Sequence, residues 1–174
     1  MTSMARNLAL IIKKANPDET VSVAVMEYAL AIIFNYLFIF FTSLIIGYFT
    51  DSLGLTILAL FVFTIIRMLS GGVHIKSIWG CIIVSVLLCV LIPQISYVTS
   101  NNFTLLFNII SLLCMFFFAP SPDKNSRIDS KYFKHLKLAS IIMIGSNFFI
   151  NSAVIALCFL AQSITILPFR REGK

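Results

Sequence analysis

Charged side chains are scarce in this sequence, which excludes a chain that lives wholly in water. Asp, Glu, Lys and Arg make up 11% of the 174 residues, against about 25% in ordinary soluble domains. Segments 28–50, 52–66, 77–122 and 138–169 contain none of the four. Crossing a bilayer core about 30 Å thick takes roughly 20 helical residues. The longest run therefore holds two spans, divided at PQISYVTSNN (93–102). Histidine is scarcer still, with two residues, and there are four cysteines. A single neighbouring His and Cys fall short of the three or four ligands that zinc requires. No metal, no cofactor and no nucleic-acid partner are expected. Internal repeats, low-complexity tracts and a second domain are also lacking. What remains is an all-α, polytopic membrane protein forming one domain over residues 1–174.

A cleavable signal is missing too. The first residues, MTSMARNLALIIKKANPDE, place apolar side chains at helical spacing with Arg6, Lys13 and Lys14 among them. Charges follow this short apolar stretch, where a signal would have a small-residue cleavage site. Residues 1–20 read as an amphipathic helix on the membrane surface, capped by Ser3 and stopped before Pro17. A disordered basic tail is the alternative.

The 13 basic residues carry the topology. They cluster before residue 28, at Arg67 and Lys76, between Lys124 and Lys137, and after residue 169. Connectors at 51–52 and 93–102 have none. Basic loops stay cytoplasmic, so spans near 28–50, 53–68, 77–93 and 103–119 alternate consistently. Residues 138–169 lie between two basic clusters, and both of their ends belong inside. Two short helices joined through GSNFFINS (145–152) satisfy that requirement, giving about six transmembrane helices with both termini cytoplasmic. A single long tilted helix is the competing arrangement. The basic loop at 120–137 is either an orientation signal facing anionic lipid or a site for a negatively charged partner. Asn35, Asn147, Asn151 and Gln162 suit a polar pathway and helix–helix hydrogen bonding equally well.

The polar interruption RMLSGGVHIKSIWGC (67–81) falls in the first cytoplasmic turn of this scheme. Its Cys81 lies where thiols stay reduced, whereas Cys89, Cys114 and Cys158 fall within spans as small packing residues. His74 precedes Cys81 by seven residues, about 10.5 Å along a straight helix. A thiol and its base must approach to roughly 3 Å. Ser70, Gly71 and Gly72 supply a break, and Ser77 supplies an N-cap for a helix starting at Ile78. Cys81 then sits in the first turns of that helix, where the dipole favours a thiolate. A structural turn with an interfacial histidine accounts for the same residues.

The stretch resembles the signature of the AgrB family, accessory gene regulator B of Gram-positive quorum sensing. Arg67, Gly72, His74 and Cys81 fit the family's Arg, glycine, His and Cys spacing. FAPSPDKNS (118–126) and QSITILP (162–168) are similar to its later segments. Gly80 and Trp79, just before Cys81, depart from the pattern. The resemblance implies a membrane cysteine endopeptidase in the cell membrane of a Gram-positive bacterium, with its active site at the cytoplasmic face. It implies Cys81 as nucleophile and His74 as general base. The substrate is an amphipathic AgrD-like precursor peptide, cleaved through an acyl-thioester and cyclised to a thiolactone or lactone. A homodimer is the assembly it suggests. Arg67 then binds a precursor carboxylate or anchors the interface, and Gly71, Gly72 and Ser77 support the turn. The competing readings are a non-enzymatic small transporter subunit with a structural His–Cys turn, and a lipid-modifying transferase.

Overall fold

The computed structural model describes residues 2–17, 19–72, 78–121 and 130–167. Seven α-helices lie among them: α1 (Thr2–Ala15), α2 (Val23–Phe49), α3 (Leu53–Ser70), α4 (Ile78–Ser96), α5 (Asn101–Phe118), α6 (Phe133–Ile150) and α7 (Ala153–Ile166). Among the described residues, four helices are long and apolar enough to cross a membrane: α2, α3, α4 from Trp79, and α5. The chain divides into two compact units, residues 1–42 and 43–174.

In the first unit, α1 carries Met4, Leu8 and Ile11 exposed at i, i+4 and i+7, one above another. Arg6 and Lys13 fall on the other side of the helix, and Lys14 on its flank. The helix starts at Thr2, so Ser3 belongs to its first turn and is not its cap. At the other end Lys13 Nζ donates to the carbonyls of Pro17 (2.6 Å) and Thr20 (2.8 Å), satisfying groups just beyond the helix.

The second unit is built around its shortest helix. Val154 through Phe159, six successive residues of α7, are all buried. A helix apolar on every side belongs in the middle of a bundle. Here α7 packs on α3, α4, α5 and α6. Ala59, Val62, Phe63 and Ile66 of α3 join Met115 of α5, Ile144 of α6 and Ile155, Cys158, Phe159 and Ile166 of α7 in one core. Cys89 and Cys158 are buried within helices, as packing residues would be, and Cys114 is half-buried.

The 138–169 run contains two helices, and their junction lies at the end of the polar stretch instead of its middle. Asn151 adopts φ 52°, ψ 42°, a left-handed conformation that asparagine tolerates better than most residues. The Asn147 side chain clasps the turn. Its Nδ2 donates to Ser152 O (3.1 Å) and its Oδ1 accepts from Ser152 N (3.1 Å). Asn147 Nδ2 also reaches Asn108 Oδ1 on α5 (3.2 Å), and Asn108 Nδ2 donates to Ile144 O (3.3 Å). Both asparagines therefore bond between helices.

Several boundaries differ from the sequence expectation: α2 begins at Val23, ahead of residue 28, and α3 runs on to Ser70. α4 runs through the buried Pro93 to Ser96, whose Oγ donates to Pro93 O (2.6 Å). A proline near a helix end leaves only one amide bond unmade, and packing covers the ring. Likewise α6 begins at Phe133, taking in the last residues of the expected 120–137 loop. Lys137 Nζ lies 5.1 Å from the Phe116 ring centroid, so the first turns of α6 pack on the end of α5.

Candidate functional site

The glycine pair after α3 is held by three separate parts of the chain. Helix α3 ends because Gly71 turns to φ 71°, ψ −138°, a region closed to side chains with a Cβ. Gly71 N still bonds Arg67 O (3.0 Å). Gly72 follows with φ 124°. Its N–H donates to Ser121 O (2.9 Å), and Ser121 N donates back to Ser70 O (2.9 Å), forming one parallel β-bridge. Ser121 is available because α5 stops at Phe118, where Ala119 is extended before Pro120.

The third support comes from α7. Gln162 is fully buried. Its Nε2 donates to Gly71 O (2.6 Å) and to Ser70 Oγ (2.9 Å). Ser70 Oγ spends its own proton on Ile66 O (2.8 Å), so it accepts from Gln162. Gln162 Oε1 is buried with no hydrogen-bond partner among the described residues. Thr165, one turn on, covers Gly72: a Cβ there would meet Thr165 Oγ1 at 2.7 Å and Gln162 Nε2 at 3.2 Å.

The described part of α4 begins at Ile78, and the residues just before it, 73–77, lie outside the described residues. Cys81 is the fourth residue of α4 and is half-buried. Arg67 is half-buried in the last turn of α3. His74 and Ser77 lie outside the described residues. No group of three or more His, Cys, Asp or Glu side chains that could hold a metal occurs among the described residues. The structure thus brings Ser70, Gly71, Gly72, Ser121, Gln162 and Thr165 together. Ser121 and Gln162 act here as supports for the turn, a role that sequence spacing did not reveal. The expected FAPSPDKNS and QSITILP segments each contribute one of them, which was the available signal.

Several membrane-length helices around a buried polar break define a membrane protein whose distinctive feature is this braced glycine turn. The chain belongs to the AgrB family, accessory gene regulator B, matching it over residues 5–166. An AgrB-like protein of Halalkalibacterium halodurans is 26% identical over 171 residues, covering 95% of this chain and 86% of its own length. Accessory gene regulator protein B of Staphylococcus aureus strain JH9 is 27% identical over 92% of this chain and 90% of its own. The protein of that name from the bovine strain RF122 is 32% identical over 61% of this chain and 62% of its own. No solved structure matches.

Proposed function

We propose that this protein is a membrane cysteine endopeptidase that cleaves an AgrD-like precursor and promotes its cyclisation. Membership of the AgrB family supports the precursor. The observation that carries the chemistry is the end of α3 at Gly71, a glycine turn lying between α3 and the helix that carries Cys81. The reading requires His74 and Cys81 to meet, which one continuous helix through both would prevent.

In the proposed reaction His74 takes the Cys81 proton, and the thiolate attacks a precursor peptide carbonyl. The tetrahedral adduct collapses as the C–N bond breaks, and the imidazolium returns a proton to the departing amine. The acyl group is left on Cys81 as a thioester. A thiol or hydroxyl of the same precursor attacks that thioester, closing the ring and releasing Cys81 as the thiol. Exchanging an amide for a thioester is uphill, so removal of the released fragment draws the reaction forward. Water competes for the acyl-enzyme, and a site sunk between helices restricts it. The single domain is proposed to lie in the cell membrane of a Gram-positive bacterium with this site facing the cytoplasm. The exposed apolar side of α1 (Met4, Leu8, Ile11) suits a membrane surface.

The direct test gives purified protein a synthetic precursor whose ring-closing residue is alanine. Acylation then has no intramolecular exit, and mass spectrometry should find a hydroxylamine-sensitive adduct on Cys81. An adduct on no cysteine, with cleavage still complete, rejects the mechanism.

The proposed topology has six spans with both termini inside. α7 has 14 residues, about 21 Å of helix, shorter than a bilayer core but buried among its neighbours. Single cysteines at Asn101 and Ser126, in a background lacking the native four, should label from outside and inside respectively. Labelling of the Ser126 position from outside reverses the orientation and turns the site away from an intracellular precursor.

A further inference from the structure

We infer that Gln162, on α7, is a positioning residue of the proposed peptidase, holding the Ser70–Gly72 turn that leads by sequence to His74; the inference rests on the peptidase reading above. The amide orientation is fixed by its partners. Gly71 O can only accept, and Ser70 Oγ has its proton engaged with Ile66 O, so both bonds require the NH2 end of Gln162. Both of that group's protons therefore go to the glycine turn. Neither serves α7 itself.

Stability does not account for this choice of residue. α3 and α7 are already joined by an apolar core that includes Ile66, Phe159 and Ile166. The tie itself leaves Oε1 buried without a partner among the described residues. The cost of an unmet buried acceptor is comparable with what two neutral hydrogen bonds return. Gln162 is thus close to neutral for folding while it constrains one carbonyl and one hydroxyl at the turn. Geometry is what such an interaction secures. A shift of about 1 Å in a group that must meet a thiol is enough to cost roughly a hundredfold in rate.

Gln162→Met separates the two roles, because methionine keeps the length and apolar volume while removing both donors and the unmet acceptor. The full-length protein in detergent should retain its helical content and its melting temperature. Its kcat for precursor cleavage should fall roughly ten- to a hundredfold, with KM changed by less than about twofold. Alkylation of Cys81 across neutral pH should move towards the profile of His74→Ala. The Cys81 profile would not move if Gln162 merely held two helices together. Should Gln162→Met fail to insert, Gln162→Asn, polar but too short to reach both acceptors, carries the same comparison. Turnover within about twofold of wild type in a folded variant overturns the inference. So does a rate loss that tracks lost stability while Cys81 alkylation stays unchanged. Failure of the peptidase reading is distinguishable, since it appears as full cleavage by Cys81→Ser with Gln162 intact.

Discussion

Cys81→Ser leaves a folded, inserted protein that accumulates uncut precursor. A serine hydroxyl is a far weaker nucleophile than a thiolate, and the site offers it nothing beyond what serves the thiol. Loss of cleavage by roughly three orders of magnitude or more is expected. His74→Ala should match it, and the double variant should be little worse than either, because nucleophile and base act as one unit. His74→Ala should also slow alkylation of Cys81 near neutral pH, since no imidazole is left to take the proton. The necessary control is simultaneous replacement of Cys89, Cys114 and Cys158 by alanine. Cys89 and Cys158 are buried in the bundle, and Cys158 Sγ lies 3.8 Å from Ala59 O. Their loss should cost packing and leave turnover largely intact. Quantitative precursor cleavage, followed by mass spectrometry in reconstituted membranes, checks all four proteins. Full activity of Cys81→Ser would end the peptidase reading and favour a structural turn.

Charge and hydropathy made much of the helical framework legible. The uncharged runs located α2 to α5, and the polar stretch within 138–169 signalled the break that separates α6 from α7. What was illegible depended on contacts distant in the chain. The α6–α7 junction sits at Asn151 because Asn147 can clasp Ser152 while reaching Asn108 on another helix. Pro93 continues a helix because packing covers it. The site divides in the same way. Gly71 and Gly72 announce a break by their own backbone freedom, but not what holds the break in place. Gln162 donates to a carbonyl 91 residues away. Ser121 pairs with the turn only because α5 delivers its end there. Spacing carries no information about either, and a buried glutamine reads as a generic membrane polar residue until its partners are seen.

That bracing makes Gly72→Ala the most damaging small substitution expected in the turn. Two independent obstacles meet at this residue. Its φ of 124° is rarely adopted by residues with a side chain, a strain of about 1–3 kcal/mol. The added methyl would also stand 2.7 Å from Thr165 Oγ1 and 3.2 Å from Gln162 Nε2. Relief requires either the turn to move or the end of α7 to retreat, and both disturb the Gln162–Gly71 bond. Cleavage should fall on the order of a hundredfold, with membrane insertion preserved because the α3–α7 core is untouched. Adding Gly71→Ala deepens the defect: alanine favours helix by about 1 kcal/mol per replaced glycine, extending α3 towards His74 and separating it from Cys81. Thr165→Ala in the Gly72→Ala background distinguishes the two obstacles. It removes the clashing oxygen but leaves the backbone strain, so turnover should recover in part and remain below wild type. Complete recovery would assign the defect to crowding alone. Wild-type processing by Gly72→Ala itself would show that this glycine turn does not assemble the site.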